Sequence, residues 1–216
     1  MKFVKNTTYY TGTVYEWNLP TGWTCPSAKE CLVKVDRETG KFENKSDQYR
    51  CYAASPERFP AVRNHRWNNF EFVKDGGIPT VPDKADHVRV HSSGDFFNQK
   101  YFDMWVKLAT STPRVKFWAF TKSLKYWLKS IDLIPNNLIL TASYGGADDH
   151  LIKEHGLKSA TVIRSADETE LPIDYNDDYA RLPNVSFALL DNNIIGKQKY
   201  KKSLDIIIDE SSPSSV

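Results

Sequence analysis

The sequence predicts an α/β fold: a single domain in which mostly parallel strands form a partial (β/α)6 barrel, similar to part of a TIM barrel. Two observations lead to this prediction. From residue 85 onward, short runs of β-favouring residues alternate with apolar residues at helical spacing. Small polar residues or glycines then directly follow the predicted strands, where parallel sheets and barrels hold their ligands.

The predicted elements follow in order along the chain. The first strand falls within residues 8–19, and Pro20 and Gly22 end its pattern. Further strands are predicted at 86–91, 115–120, 137–142, 160–164 and 185–190. Helical patterns are predicted at 98–111, 124–131 and 147–156, and at 51–66 with a break around Pro56 and Pro60. We expect residues 1–210 to form the domain and the polar residues 211–216 to be a disordered tail.

The composition excludes several classes of protein. A hydrophobic fraction of 40% and an aromatic fraction of 13% are typical of a globular chain and argue against disorder. The net charge of +2 gives no strong signal for nucleic-acid binding, and we expect the basic run at 197–202 to be a solvated face. No apolar run approaches the ~20 residues of a membrane span, and the amino terminus lacks the apolar core of a signal peptide. We therefore expect a cytoplasmic protein, in a reducing compartment.

The chain has three cysteines, Cys25, Cys31 and Cys51, in the pattern C-x5-C-x19-C around a long polar loop. In a reducing compartment such cysteines are metal ligands or catalysts more often than disulfide partners. Three thiolates suit an iron–sulfur cluster, either 4Fe-4S with one iron lacking a cysteine ligand or 3Fe-4S. A Cys3His zinc site that uses His65 or His91 is an alternative, and three unrelated buried thiols are another.

Polar residues at the carboxyl ends of the later strands are candidate ligand-binding residues. Asp95, in Ser93-Gly94-Asp95, could accept from an amine or a ribose hydroxyl, or could cap a helix. Lys122 could pair with a carboxylate or phosphate, or lie on the surface. Ser143 opens a Gly-Gly turn of the kind that binds anions. Arg164 could bind a carboxylate or pair with Asp167. We expect these residues and the cysteines to converge at one edge of the sheet.

Taken together, these motifs resemble the phage "gene product 88" family over about residues 10–165. The resemblance implies a virus or a mobile element as the source and, for a virus, location in the host cytoplasm. The residues that carry the resemblance are Trp17-Asn18-Leu19-Pro20, Thr24-Cys25-Pro26, Cys31, Cys51-Tyr52-Ala53, His91-Ser92-Ser93-Gly94-Asp95-Phe96-Phe97, Thr121-Lys122-Ser123 and Leu140-Thr141-Ala142-Ser143-Tyr144-Gly145-Gly146.

The layout also resembles a radical S-adenosylmethionine (SAM) enzyme, in which three cysteines follow the first strand of a partial barrel. That resemblance implies that SAM binds the open iron, and that Ser93, Gly94 and Asp95 take the place of the element that contacts the SAM amine. Ser143 and Arg164 would match positions that contact the ribose and carboxylate. The chain departs from the pattern because C-x3-C-x2-C is absent and the third cysteine is distant.

The sequence therefore predicts a phage-type iron–sulfur protein with a radical SAM-like fold, whose first functional hypothesis is a SAM-dependent radical enzyme acting on an unknown small molecule. A non-catalytic cluster protein that transfers electrons to a redox partner, senses redox state or binds a partner is the alternative. A structural zinc protein is the second alternative.

Overall fold

A single mixed sheet organises the part of the chain described by this computed structural model, residues 2–8, 12–43 and 51–191. Its strands lie side by side in chain order, β1 to β7. The first pair is antiparallel and the other pairs are parallel. The strands are β1 Val4–Asn6, β2 Val14–Trp17, β3 His87–Val90, β4 Lys116–Thr121, β5 Leu138–Ser143, β6 Ser159–Ile163 and β7 Phe187–Leu190.

The helices lie between the parallel strands, as a parallel sheet requires. The α-helices are α1 Pro60–Lys74, α2 Gln99–Ser111, α3 Leu124–Lys129 and α4 His150–Glu154, and the 3₁₀ helices include Tyr52–Arg58, Ile131–Leu133, Ala166–Glu168 and Tyr179–Arg181. Two of these boundaries have a visible local cause. Pro60 occupies the first turn of α1, where proline is tolerated. The Asn98 side chain accepts from the Tyr101 N–H at 2.8 Å and caps α2.

The strand predictions are confirmed for β2 to β7, but the chain contains a strand that was not predicted, β1. It has only three residues and pairs antiparallel with β2, Val4 opposite Glu16. The predicted break near residues 56–60 is a change from a 3₁₀ helix to α1, which continues to Lys74. The predicted tail 211–216 and the basic run 197–202 lie outside the described residues.

The sheet is open in the described structure, because β1 and β7 lie at its two ends. The single-sheet α/β architecture is therefore confirmed, whereas a barrel-like curvature stays a prediction. No helix in the described ranges combines the length and the apolar character needed to cross a bilayer.

Alternation along the strands gives the sheet two packed faces. The larger core packs α2 against one face, with Trp105 fully buried among side chains that include Val90 and Phe117. Trp118 points to the other face, where it packs with a smaller cluster. Each large apolar side chain buried in this way contributes about 1.5–3 kcal/mol to stability. With both faces packed, the loops at the carboxyl ends of the strands are held in place for the cysteine-bearing segments.

Candidate functional site

The segment that carries Cys25 and Cys31, residues 19–31 (the cysteine segment), lies across the carboxyl ends of the parallel strands. At its start, the Leu19 N–H donates to the Ser93 carbonyl, at the end of β3, at 2.9 Å. At its end, the Glu30 N–H donates to the Gly145 carbonyl, after β5, at 3.1 Å. The segment therefore joins the loops that follow β3 and β5.

Gly94 allows the cysteine segment to pass close to the loop after β3. Its φ of +88° is in the region that favours glycine. A Cβ atom at this position would lie 2.6 Å from Thr24 Oγ1 and 2.7 Å from Leu19 Cβ. Any side chain here would therefore push the cysteine segment away from β3.

Asp95 is buried, and its carboxylate joins the loop after β3 to the end of β4 by hydrogen bonds. Its Oδ1 accepts from the Phe96 N–H at 2.7 Å and from Thr121 Oγ1 at 2.6 Å, and its Oδ2 accepts from the Lys122 N–H at 2.9 Å. Burial raises the pKa of this carboxyl, and the same hydrogen bonds lower it. Asp95 does not cap α2, since the cap of that helix is Asn98.

Lys122 extends from the end of β4 to the end of β5. Its Nζ donates to the Ser143 carbonyl at 3.1 Å, to Ser143 Oγ at 2.7 Å and to the Tyr144 carbonyl. An ammonium group has three donors, so all of them are used within the protein. Lys122 is therefore a fixed cation rather than a solvated surface lysine. Ser143 supplies two of its three acceptors.

The three cysteines are free thiols, half-buried, and close enough to influence one another. Burial is the main cause that raises the pKa of each thiol, to about 11 for Cys51. Cys51 and Cys31 both raise the pKa of Cys25, and Cys31 raises that of Cys51. Two segments far apart in the sequence thus bring their sulfur atoms into one neighbourhood.

Backbone N–H groups partly offset the burial of these sulfur atoms. The N–H groups of Ala53 and Ala54, in the first turn of the 3₁₀ helix after Cys51, lower the pKa of its thiol. A backbone hydrogen bond from Gly22 does the same for Cys25. Donors of this kind favour the thiolate, which is the form that binds metals.

A buried polar network fixes the positions of the cysteine-bearing segments. Glu57 is fully buried, and its Oε1 accepts from the N–H and the hydroxyl of Thr21 and from Arg66 Nη1, each at 2.7 Å. Thr21 Oγ1 also lies 2.8 Å from Ser93 Oγ. The network therefore links the Cys25 segment, the helix after Cys51, α1 and the loop after β3.

This network was not predicted from the sequence. Arg66 lies at one of three buried polar positions spaced three residues apart on α1, the others being Arg63 and Asn69. Polar residues at that spacing on a helix that also carries apolar side chains were an available signal. The acceptor Glu57 had no comparable signal, since its partners come from three other segments.

The two histidines considered as zinc ligands are engaged elsewhere. His91 Nε2 lies 2.8 Å from the Tyr101 hydroxyl, inside the aromatic core, and burial lowers the pKa of His91 to about 3. His65 Nε2 lies 3.3 Å from Asn69 Nδ2 on α1. Within the described ranges, which include all three cysteines, no three His, Cys, Asp or Glu side chains are placed to hold one metal ion.

The N–H groups of the Gly-Gly turn after β5 already have an acceptor in the same chain. The N–H groups of Gly145 and Gly146 donate to the Asp149 carboxylate at 2.8 and 2.9 Å, so the expected anion is an aspartate of the same chain.

Arg164 has an exposed side chain after β6. Among the described residues, no hydrogen bond or ion pair joins its guanidinium to Asp167 or to the cysteine segment. The structure thus brings Ser93, Gly94, Asp95, Lys122 and Ser143 to the cysteine segment or to loops bonded to it, but not Arg164.

Tyr52 links the cysteine site to Arg89 on β3, a contact that the sequence did not predict. Its hydroxyl donates to the Ser92 carbonyl at 2.9 Å and accepts from Arg89 Nη2 at 3.3 Å. Arg89 Nη1 in turn lies 3.1 Å from Asp177 Oδ2. The residue after Cys51 therefore contacts a charged pair formed between β3 and the segment that joins β6 to β7.

Comparisons with known proteins give one family and one relative. The model of the family described as Gene product 88 matches residues 2–204. The Gene 88 protein of Mycobacterium phage L5 is 27% identical over 119 residues. That alignment covers 47% of this chain and 44% of the phage protein, less than half the length of either. No solved structure matches.

Proposed function

This chain belongs to the gene product 88 family, and on that premise we propose that it holds one iron–sulfur cluster through Cys25, Cys31 and Cys51. The likeness to a phage protein supports a viral origin, and we assign the protein to the host cytoplasm. The observation that carries the proposal is the gathering of three free, half-buried thiols from two separate segments. Nothing in ordinary core packing requires three cysteines to meet beside a polar network.

The donor set fits a cluster. Cysteine thiolates are the usual ligands of iron–sulfur clusters, whose potentials depend on hydrogen bonds to the sulfur atoms and on burial. Here the N–H groups of Gly22, Ala53 and Ala54 already face two of the sulfur atoms. The contacts of Glu57 with Thr21 and Arg66 hold the cysteine-bearing segments in position without any metal contact.

The engagement of the two candidate histidines favours a cluster over a single zinc ion. A Cys3His zinc site needs a histidine as its fourth ligand. His65 and His91 have other partners, Asn69 and the Tyr101 hydroxyl. An iron–sulfur cluster with three cysteine ligands needs no histidine.

The order of the elements supports a radical SAM-like layout. Cys25 and Cys31 follow β2, the first of six parallel strands, and we propose that β2 to β7 curve as a partial (β/α)6 barrel. When bound, a cluster with three cysteine ligands supplies electron transfer, and a 4Fe-4S form also offers one iron to a chelating small molecule such as SAM. A 3Fe-4S form would lack the fourth iron and so could not bind SAM in this way.

Two observations favour the non-catalytic alternative, in which the cluster serves electron transfer, redox sensing or partner binding. Asp95, which the radical SAM resemblance assigns to the SAM amine, already accepts three hydrogen bonds from its own chain. Arg164, assigned to the SAM carboxylate, is exposed after β6. An enzymatic role would therefore depend on the remaining acceptor capacity of Asp95 and on a ligand-induced movement of Arg164.

The cluster proposal is tested on protein purified without oxygen and reconstituted with iron and sulfide. We expect a brown protein with bound iron and acid-labile sulfide in comparable amounts. We expect each of the variants Cys25→Ala, Cys31→Ala and Cys51→Ala to lose them, while Ser165→Ala, an exposed site, retains them. Full iron and sulfide content in Cys51→Ala would contradict the ligand assignment. A colourless protein that binds only zinc would leave the structural zinc site.

A second measurement separates the two uses of the cluster. Electron paramagnetic resonance of the reduced protein, with and without SAM, reports the number of irons and whether SAM reaches the cluster. With dithionite and SAM, the enzymatic hypothesis expects 5′-deoxyadenosine to form. An unchanged spectrum and no 5′-deoxyadenosine would leave the electron-transfer, sensing or partner-binding role.

A further inference from the structure

We infer that residues 174–182 (the strap) form a releasable cover over the smaller apolar cluster of the sheet, and that Tyr52 holds this cover closed through Arg89. The strap begins beside β7 and contains the 3₁₀ helix Tyr179–Arg181, which packs against β4 and β5. The inference goes beyond the proposed function and does not depend on it, because the contacts that carry it are made within the protein. It connects the residue after Cys51 with a distant surface of the sheet.

The strap covers large apolar side chains but buries few of its own. Ala180 is 1% exposed and belongs to the cluster that contains Trp118 and Phe187. The Tyr179 ring stacks on the Phe187 ring, with the centroids 6.3 Å apart. Tyr175, in contrast, is 41% exposed. Segments with few buried apolar contacts are those that open locally, and opening of the strap would expose the rings of Trp118 and Phe187.

Hydrogen bonds attach the two ends of the strap. At its start, the Asp174 N–H donates to the Ala188 carbonyl on β7 at 2.8 Å. At its end, Lys158 Nζ donates to the carbonyls of Ala180 and Leu182 at 2.9 and 2.7 Å. The Asp174 carboxylate also accepts from the Ala180 N–H at 2.9 Å, which folds the strap on itself. The strap is therefore held at its ends by polar contacts, and its middle needs a separate attachment to stay on the sheet.

Asp177 provides that attachment. Its φ of +58° lies in a region that residues other than glycine seldom adopt. Its Oδ2 accepts from Trp118 Nε1 at 3.2 Å and lies 3.1 Å from Arg89 Nη1. The side chains of Arg89 and Asp177 are only 14% and 11% exposed, so water and salt screen their attraction weakly. The unusual backbone conformation is thus stabilised by contacts with β3 and β4, and their loss should release the strap.

Tyr52 acts on this attachment through Arg89. Arg89 Nη2 donates to the Tyr52 hydroxyl at 3.3 Å, and the same hydroxyl donates to the Ser92 carbonyl at 2.9 Å. The guanidinium is planar and rigid, so Tyr52 at one nitrogen helps to fix the nitrogen that faces Asp177. A movement of the segment that begins at Cys51 is therefore transmitted to the strap. Coupling of this kind acts equally in both directions.

Amide hydrogen exchange of the full-length protein, followed by mass spectrometry, tests the inference. We expect Asp177→Asn to raise the exchange rate of the strap amides about tenfold, because it removes a charge-assisted contact. Tyr52→Phe, which lacks only the hydroxyl, should raise it about threefold. The double variant should reach about tenfold rather than the product of about thirtyfold, because both changes weaken the same connection. The matched control is Tyr175→Phe, at an exposed position in the strap, which should stay within about twofold.

Two other segments in the same spectra separate local opening from general destabilisation. The amides of β4 report unfolding of the sheet, and we expect their exchange to change less than about twofold in each variant. We expect Asp177→Asn also to raise exchange in the 3₁₀ helix Tyr52–Arg58 at least about twofold, because coupling is reciprocal. An unchanged strap in Asp177→Asn, an equal rise in β4, or independent effects of Tyr52→Phe and Asp177→Asn would overturn the inference. These outcomes are the same whether or not the protein binds iron, so they leave the proposed function to its own test.

Discussion

Glu57 Oε1 lies 2.7 Å from Arg66 Nη1, and this buried ion pair joins the helix after Cys51 to α1. Both side chains are almost completely shielded from water. The same Glu57 oxygen receives two hydrogen bonds from Thr21, four residues before Cys25. One carboxylate therefore holds together the two segments that supply the three thiols.

Removal of one member of this pair should be costly. We expect Arg66→Met to lower the free energy of unfolding by about 3–5 kcal/mol, because it leaves the Glu57 carboxylate buried without its cation. Urea denaturation of the metal-free protein measures this change. The matched control is Glu71→Gln, which breaks the exposed pairs with Arg37 and Lys74 and should cost at most about 1 kcal/mol. Equal effects of the two variants would contradict the role of the buried pair.

Gly94→Ala should destabilise the protein more than a glycine substitution in open space. Gly156 also has a positive φ, +59°, but a Cβ there meets nothing within 4 Å, so Gly156→Ala should cost about 1–2 kcal/mol. At Gly94 the added methyl also meets Thr24 and Leu19, which should add about 1–3 kcal/mol. Thermal denaturation of both variants gives the comparison. A larger loss for Gly156→Ala would show that the cysteine segment does not pass as closely as described.

Asp95→Asn should weaken the hydrogen bonds that join the loop after β3 to the end of β4. The amide has one oxygen where the carboxylate has two, so one of the donors Phe96, Thr121 and Lys122 loses its acceptor. We expect a loss of about 1–3 kcal/mol in the free energy of unfolding without any added ligand. Asp83→Asn, at an exposed position, serves as the control and should be close to neutral. An unchanged stability of Asp95→Asn would argue that this carboxylate is kept for a ligand.

His91 should make stability fall in mild acid. Burial holds its pKa at about 3, below the ordinary value of 6.5, so between these values the unfolded chain binds a proton that the folded protein does not. Stability is therefore retained above pH 6.5 and lost as pH falls toward 3. From pH 6.5 to 5 the loss from this group is about 1–2 kcal/mol.

His91→Asn removes this titration and keeps a residue type that tolerates the positive φ of 69° at this position. Urea denaturation at pH 6.5 and at pH 5 should show a smaller pH dependence for His91→Asn than for the unmodified protein. His155→Gln, at an exposed position, should leave the dependence unchanged. A pH dependence that persists fully in His91→Asn would assign the acid sensitivity to other groups.

The parallel strands could be predicted because buried strands such as β4 and β5 are long apolar runs bounded by turn residues, a pattern that survives in a single sequence. The edge strand β1 could not, since three residues carry too little pattern and its place depends on pairing with β2. The change of helix type near Pro60 was visible because proline acts locally.

The site was predictable in its position but not in its hydrogen bonding. Residues after parallel strands meet at one edge, so Asp95, Lys122 and Ser143 could be placed there from topology alone. Which atoms they bond could not, because each partner comes from a different loop. The Gly145–Gly146 turn is the clearest case, since its N–H groups bind Asp149 of the same chain and not a free anion.

The bond from the Glu30 N–H to the Gly145 carbonyl spans the interval between the cysteine segment and β5. During synthesis, Cys25 and Cys31 leave the ribosome before the loop after β5, which hydrogen-bonds to the cysteine segment, has been made. A nascent chain shorter than about Gly146 thus has its sulfur atoms without their final support. The final position of the cysteine segment therefore requires that translation has passed β5.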